Sequence, residues 1–247
     1  MIKNNTANSG LLGFFEKLIR IIPHIYIIFR PIIKFTNFFE EDFHYLKKIF
    51  KNQKINIIDI GASDGISALF FIRNLNPRKI YCYEPQKGFY KKLLNLKKKY
   101  TYLKVFNFGL GNKIYNEKVY YPYIKIFNFK FVLYAYSFPV KRELKKQIDF
   151  DFLIKPKICH EKIKIKKFNI PKDKINLIKI DTNGSEFNII NSIISILKRD
   201  KPVLIIENNN INKIYNKIKY LNYKKFCVED EKLVKHKRQK NVNIIFK

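Results

Sequence analysis

The stretch IIDIGASDGISALFFI, residues 57–72, constrains the fold of this chain more than any other part of the sequence. An apolar run that contains an acidic residue near its end is followed by a turn of small residues and then by an amphipathic run. That order predicts a buried strand, a tight loop and the start of a helix, and the amides of such a loop can hold a polar ligand. The chain has only 8 Gly, yet Gly61 and Gly65 both fall in this loop. The sequence therefore predicts that the backbone approaches another group closely here.

Strand and helix patterns alternate through most of the chain. Apolar runs predict strands over residues 55–60, 79–84, 102–108, 176–180, 203–207, 224–228 and 242–246. Helical patterns lie over residues 66–74, 86–100, 185–198 and 211–221. Because strands alternate with helices, we predict an α/β fold with βαβ units and a parallel sheet. The last strand follows a predicted loop over residues 229–240 without an intervening helix, so we expect it to run antiparallel.

The domain organisation follows from where this alternation starts and stops. Residues 1–50 are predicted to form an N-terminal helical appendage, and residues 51–247 the main domain. An insertion at about 112–167 interrupts the main domain, with a predicted hairpin over residues 118–131, a Lys-rich helix near 140–148 and a basic strand over 162–168. Insertions of this size usually cover or shape a ligand site.

The appendage has two open interpretations. From Leu11 to Phe35 apolar residues recur at helical spacing, and Pro23 and Pro31 divide the run into short helices. These helices either bind a membrane surface through their apolar faces and basic flanks, or pack on the main domain. Residues 38–50 are predicted to continue as a helix.

The location of the protein is predicted from its N-terminus and its cysteines. The N-terminus lacks the order of a signal peptide, and its charge-free pieces are too short to span a bilayer. The 3 Cys lie far apart without a CxxC pair, which agrees with a reducing compartment. We predict a cytoplasmic protein. If residues 11–35 bind a membrane surface rather than pack on the main domain, the protein would lie at the inner face of the membrane.

The chain is strongly basic, with a net charge of +30 from 50 Lys plus Arg against 20 Asp plus Glu. Such a surplus indicates either an anionic partner or a mutational bias, since Lys, Asn, Ile, Phe and Tyr all have AT-rich codons. Arg, the residue that bidentate phosphate recognition favours, is rare beside Lys. No specific nucleic-acid partner is therefore predicted.

The acidic residues near the turn indicate the kind of ligand. The first strand delivers Asp59 to the carboxyl edge of the sheet, where wound folds bind ligands, and Asp64 lies in the turn itself. Glu84 ends the second strand, where a carboxylate can accept hydrogen bonds from ribose hydroxyls. The acids would repel a diphosphate, and the spacing D-x-G-x-x-x-G differs from the dinucleotide fingerprint. S-adenosylmethionine, with its ammonium and sulfonium, is predicted rather than NAD, and a turn that binds no ligand is the alternative.

Three blocks resemble the FkbM-family S-adenosylmethionine-dependent methyltransferases: IIDIGASDGISALFF (57–71), IYCYEP (80–85) and INLIKIDTNGSEFNIINS (175–192). The resemblance runs from about residue 55 to residue 208. It implies a class I methyltransferase, Rossmann-like fold, with a seven-stranded and mostly parallel sheet whose last strand is antiparallel. It also implies O-methylation, often of a hydroxyl on a sugar, a polysaccharide precursor or a glycosylated metabolite.

The resemblance also implies which residues form the site. Asp181 and Glu186 would face the reaction centre, although each also fits a turn or helix-start role. His160, the only histidine between the first and third blocks, is a further candidate base, or is incidental. No cluster of metal ligands is evident. The predicted cofactor-binding residues are Asp59, Gly61, Ala62, Ser63, Asp64, Gly65, Glu84 and Pro85.

Two other functions stay open. Asn183 stands where the family commonly has an acidic residue, and the sequence KFNI, residues 167–170, replaces a usual Leu-Asp pair. These departures are compatible with a non-catalytic relative that binds a glycan or a protein partner. The Pro-Pro-aromatic motif of base methylation is absent after Asp181, so an RNA or DNA methyltransferase is the lesser alternative. Neither the identity of the acceptor nor the oligomeric state is predicted.

Overall fold

The computed structural model describes residue 39 and residues 41–126, 128–152, 155–236 and 243–247. The helices predicted between residues 11 and 35, and the membrane contact assigned to them, lie outside this part of the chain. Within it, no helix is both long enough and apolar enough to cross a membrane.

The described elements alternate as predicted. The strands are β1 (Lys54–Ile60), β2 (Asn76–Tyr83), β3 (Leu103–Phe106), β4 (Gly109–Gly111), β5 (Tyr115–Ile126), β6 (Phe129–Val132), β7 (Lys157–Lys167), β8 (Leu177–Ile180), β9 (Val203–Glu207), β10 (Lys225–Glu229), β11 (Lys232–Lys235) and β12 (Asn243–Phe246). The α-helices are α1 (Glu41–Ile49), α2 (Ile66–Asn74), α3 (Lys87–Lys99), α4 (Lys141–Asp151), α5 (Glu186–Ser192), α6 (Ile194–Asp200) and α7 (Ile211–Ile218). Short 3₁₀ turns lie at Tyr134–Tyr136 and Lys219–Leu221.

The chain divides into two compact units. The larger unit comprises Phe38–Asn116 and Ile163–Lys247. The described part of the smaller unit lies within residues 117–162. The helix α1 belongs to the larger unit, where Phe43, Leu46 and Phe50 join the apolar core around β1.

The larger unit is built on an eight-stranded sheet with the order β11-β10-β12-β9-β8-β1-β2-β3. The strands β9, β8, β1, β2 and β3 run parallel, whereas β12 runs antiparallel to both of its neighbours. The predicted α/β class and the antiparallel last strand are therefore confirmed. These five parallel strands are adjacent, so their carboxyl ends meet at one edge of the sheet.

The sheet has eight strands rather than seven because β11 was predicted as part of a loop. It pairs antiparallel with β10, and the hairpin turn consists of Asp230 and Glu231, with φ of 50° and 57°. Two successive residues with positive φ are typical of the tight type I′ hairpin turn. Asn-Gly or Asp-Gly usually indicates such a turn, and neither dipeptide is present at this position.

Apolar side chains cover both faces of the sheet. Along β1, Ile58 and Ile60 pack in one cluster with α5, α6 and α7, whereas Ile55 and Ile57 pack in another with α1, α2 and α3. This alternation follows from the two-residue period of a strand. All residues from Ile55 to Ile60 are buried, as expected for a central parallel strand covered on both faces.

The helix predicted over residues 185–198 is two helices, α5 and α6. The Ser192 hydroxyl donates a hydrogen bond of 2.7 Å to the carbonyl of Ile189, and Ile193 takes φ of −106° and ψ of 8°. Hydroxyl groups that bond the preceding turn compete with the regular helix ladder. Neither Gly nor Pro marks this break in the sequence, so the helical periodicity alone did not predict it.

The smaller unit contains the predicted hairpin, which is confirmed: β5 and β6 pair antiparallel from Tyr123 opposite Val132 to Ile126 opposite Phe129. The Lys-rich helix predicted near 140–148 is α4. This helix contributes Leu144 and Ile148 to a small apolar core that is separate from the clusters around the large sheet.

Candidate functional site

The turn after β1 is the first part of the candidate site. Gly61 and Gly65 have φ of 75° and 87°, which glycine adopts at little cost. A Cβ atom on Gly61 would collide with the carbonyl oxygen of Asp181 and lie 2.9 Å from its carbonyl carbon. A Cβ atom on Gly65 would lie 3.1 Å from the side chains of Leu93 and Leu96 in α3. The predicted close approach is therefore between Gly61 and the end of β8, and between Gly65 and a neighbouring helix.

Glu84 fastens this turn to the end of β2. Its carboxylate accepts hydrogen bonds of 2.8 Å from the backbone amides of Ser63 and Gln86. Burial raises the pKa of Glu84 to about 7, although both hydrogen bonds act in the opposite direction. Each carboxylate oxygen has two acceptor positions, so Glu84 retains capacity for a further donor. Its role as the acceptor for ribose hydroxyls stays a prediction.

The other predicted residues of the turn are mostly enclosed. Ala62 is fully buried in the apolar cluster around β1, and Asp64 is 3% exposed. The Asn107 side chain donates hydrogen bonds of 3.0 Å to the carbonyls of both Glu84 and Pro85. Asn107 thereby fixes the backbone that follows β2, and it was not among the predicted residues.

Lys179, also not predicted, lies at the centre of the site. It is 6% exposed within β8, directly opposite Asp59 in the pairing with β1. Its Nζ donates a hydrogen bond of 2.8 Å to the carbonyl of Gly61 and lies 3.4 Å from both Asp59 Oδ1 and Asp181 Oδ2. Burial disfavours the ammonium, but the carboxylates of Asp181 and Asp59 outweigh this and raise the pKa of Lys179 above its usual value. The available signal was a lysine inside the otherwise apolar strand LIKI.

Asp59 lies behind the turn. It is fully buried, and its Oδ2 accepts a hydrogen bond of 2.6 Å from the Ser67 hydroxyl in the first turn of α2. Its other oxygen faces Lys179. The carboxylate therefore ties β1, β8 and α2 together directly beneath the turn. Contact between Asp59 and a cofactor stays a prediction.

Two carboxylates stand side by side at the ends of β8 and β9. Ile180 pairs with Ile206, so the following residues, Asp181 and Glu207, reach the same edge. The Asp181 side chain is 46% exposed. Burial, and then the negative charges of Asp181 and Glu186, raise the pKa of Glu207 to about 8, with a contribution from a hydrogen bond between Glu207 and Asp181.

Glu207 was missed as a site residue, although the sequence contained a signal for it. An acidic residue ends the apolar run PVLIIE, just as acids follow the other runs that reach this edge. In the structure, the Asn209 side chain donates a hydrogen bond of 2.7 Å to Glu207 Oε2, which fixes its orientation.

Glu186 closes the loop between β8 and α5. It is 1% exposed, and its Oε1 accepts hydrogen bonds of 3.0 Å from the Thr182 amide, the Thr182 hydroxyl and the Gly184 amide. These contacts stabilise the loop that follows Asp181. A catalytic role for Glu186 stays a prediction.

His160 belongs to the smaller unit, whereas all the other predicted site residues belong to the larger one. It lies on β7, with its ring centroid 5.7 Å from that of Tyr120. Its assignment as a base also stays a prediction.

The charge at this edge is opposite to that of the whole chain. Lys179 is the only lysine or arginine among the buried residues that the structure describes. The carboxylates at or near the carboxyl ends of β1, β2, β8 and β9 are Asp59, Asp64, Glu84, Asp181, Glu186 and Glu207. An excess of carboxylates favours a cationic ligand and disfavours a diphosphate. In the described part of the chain, no group of three or more His, Cys, Asp or Glu side chains is arranged to hold a metal ion.

Comparison with known proteins gives one family. A family model for the methyltransferase FkbM domain matches residues 59–225. No curated protein matches the chain significantly.

Among solved structures, a methyltransferase FkbM from Methylobacillus flagellatus KT is similar at 16% identity and a TM-score of 0.50, over 78% of this chain and 44% of that chain. This chain thus spans less than half of that protein, and the likeness shows the class I, Rossmann-like fold.

Two further solved structures are more distant. A precorrin-6y C5,15-methyltransferase from Geobacter metallireducens GS-15 has 10% identity and a TM-score of 0.40, over 83% of this chain and 84% of that chain. TrmK from M. capricolum, in complex with S-adenosyl-homocysteine, has 14% identity and a TM-score of 0.38, over 84% of this chain and 66% of that chain.

Proposed function

Because the chain belongs to the methyltransferase FkbM domain family, whose model matches residues 59–225, we propose that it is an S-adenosylmethionine-dependent O-methyltransferase. The proposed acceptor is a hydroxyl of a sugar, a polysaccharide precursor or a glycosylated metabolite. The family match is the observation that carries the proposal, since the matched region contains the turn at Gly61 and both carboxylates, Asp181 and Glu207.

The negative charge at this edge of the sheet supports S-adenosylmethionine as the cofactor. S-adenosylmethionine has an ammonium and a sulfonium, and the carboxylate excess around Lys179 suits a cation. The turn from Gly61 to Gly65 and the Glu84 carboxylate would hold the cofactor, with Glu84 accepting hydrogen bonds from ribose hydroxyls. Bound there, the cofactor would supply an electrophilic methyl group for transfer to the acceptor oxygen, and the electrons of the broken carbon–sulfur bond would remain on sulfur.

The Asp181–Glu207 pair would take the proton that the hydroxyl loses. Asp181 is the exposed member, at 46% of its side chain, so it is the carboxylate that an acceptor reaches. Glu207 stands beside it at the end of the adjacent strand β9, and Lys179 Nζ lies 3.4 Å from Asp181 Oδ2. The two neighbours flank Asp181, and it is the ionised carboxylate that can accept a proton.

The test is transfer of a labelled methyl group to a panel of nucleotide sugars and polysaccharide precursors. We expect the wild-type protein to label at least one acceptor, and Asp181→Asn to lose at least about tenfold in rate, because removing a general base typically costs 10²–10⁴-fold. Asp181→Asn should still bind S-adenosylhomocysteine. Cofactor binding by the wild type without transfer to any acceptor would support the non-catalytic alternative instead.

We also propose that residues 11–35 contact the membrane surface. The full chain should then co-sediment with vesicles that contain anionic lipid. Replacement of Phe15 and Phe29 by Glu should reduce that binding by more than the small change in net charge explains. Equal sedimentation of this variant and the wild type would contradict the proposal.

A further inference from the structure

We propose that Lys179 sets the net charge that the site presents to its cofactor, and that it thereby determines the preference for the cationic cofactor over the neutral product. This inference rests on the proposed function. It adds to that function a specificity-determining residue which lies behind the binding surface and acts through Asp181.

The contacts of Lys179 define a group of three charges. The ammonium has three hydrogens, and three oxygens surround it: the Gly61 carbonyl at 2.8 Å, Asp59 Oδ1 at 3.4 Å and Asp181 Oδ2 at 3.4 Å. The Gly61 contact holds Lys179 directly against the proposed cofactor turn. The two carboxylates and one ammonium sum to a net charge of −1.

The exposure of the three side chains determines which of them presents this net charge to a ligand. Asp59 is fully buried and Lys179 is 6% exposed, whereas the Asp181 side chain is 46% exposed. A buried carboxylate without a partner is strongly unfavourable, and Lys179 provides that partner for Asp59. Since the ammonium is shared between two carboxylates, one negative charge remains uncancelled, and the solvent-exposed member that presents it is Asp181.

Cofactor and product respond differently to this charge. S-adenosylmethionine carries a sulfonium, an ammonium and a carboxylate, for a net charge of +1, whereas S-adenosylhomocysteine lacks the sulfonium and is neutral overall. Every other group is shared by the two ligands. The ratio of their dissociation constants, product over cofactor, therefore reports the charge of the site. Any loss of affinity that is common to both ligands cancels in this ratio.

The experiment measures this ratio by calorimetry at about pH 6, below the raised pKa values of Glu84, about 7, and Glu207, about 8, so that both acids stay mostly protonated. Asp59→Asn leaves Lys179 paired with Asp181 alone, for a net charge of zero. The double variant Asp59→Asn with Lys179→Met returns the group to −1.

We expect Asp59→Asn to lower the ratio at least about fourfold, the effect of one unit charge about 5 Å away in water, where the dielectric constant is about 80. The double variant should return to within about twofold of wild type. Glu231→Gln is the matched control: it removes an exposed carboxylate at the far side of the sheet, beyond β10, and should leave the ratio unchanged.

A second measurement needs no variant. Salt screens charge preference, so the wild-type ratio should fall as sodium chloride increases. Both ligands could bind while the ratio of their dissociation constants changes neither with salt nor in Asp59→Asn. That result would overturn the role of Lys179 and leave the proposed function intact. A folded wild-type protein that binds neither ligand would overturn the proposed function and this inference with it.

Discussion

Substitution of Gly61 by alanine tests the packing of the candidate site most severely. A Cβ atom at this position collides with the Asp181 carbonyl, and the backbone φ of 75° is unfavourable for alanine. The strained backbone costs about 1–3 kcal/mol. Overpacking against the end of β8 costs about 1–3 kcal/mol more. We therefore expect Gly61→Ala to lower the free energy of unfolding by about 2–6 kcal/mol in total.

Gly184→Ala separates these two contributions. Gly184 has φ of 108°, but a Cβ atom there would meet no atom within 4 Å. The control variant thus suffers the backbone strain without the collision. Urea unfolding can be followed by tyrosine fluorescence, since the chain has 16 Tyr and no Trp. If Gly61→Ala proves no more destabilising than Gly184→Ala, the close contact between the turn and β8 is wrong.

Three further predictions concern the carboxylates. Burial raises the pKa of Glu84 to about 7 and of Glu207 to about 8, so between about pH 5 and 8 the folded protein binds more protons than the unfolded chain. The free energy of unfolding, measured by urea titration, should therefore fall as pH rises through this range. Glu207→Gln should remove the part of this decrease that occurs at the higher pH values. Ser67→Ala should destabilise the protein by about 1.5–3 kcal/mol, because the buried Asp59 carboxylate loses a hydrogen bond, whereas Ser67→Thr should restore part of the loss. Glu186→Ala should lower the melting temperature more than Glu186→Gln, because glutamine keeps an acceptor for the three loop hydrogen bonds, and equal effects would contradict that loop-stabilising role.

Much of the site's framework could be predicted because it depends on local patterns. The run before Gly61 is apolar throughout, so it indicates a strand buried on both faces. Carboxyl ends of adjacent parallel strands meet at one edge, so Asp59, Glu84 and Asp181 could be assigned to a common edge before any contact was known.

The remaining parts depend on contacts between distant residues. Lys179 is paired with Asp59 and Gly61 across the sheet, and a lysine in a strand usually indicates an exposed position rather than a buried ion pair. Glu207 gains its raised pKa only because β9 lies directly beside β8. The strand β11 depends on a tight turn without glycine, which local turn preferences do not favour.

The central claim is that the carboxylate-rich edge binds the methyl-donor cofactor. Calorimetric titration of the folded protein with S-adenosylmethionine at about pH 8, above the raised pKa of Glu84, tests it most directly. We predict one binding site per chain, and at least about tenfold weaker binding for Glu84→Ala, which removes an acceptor for ribose hydroxyls that is worth about 1.5–3 kcal/mol when charged. Absence of binding to a folded sample, or undiminished binding by a folded Glu84→Ala variant, would contradict this account of the site.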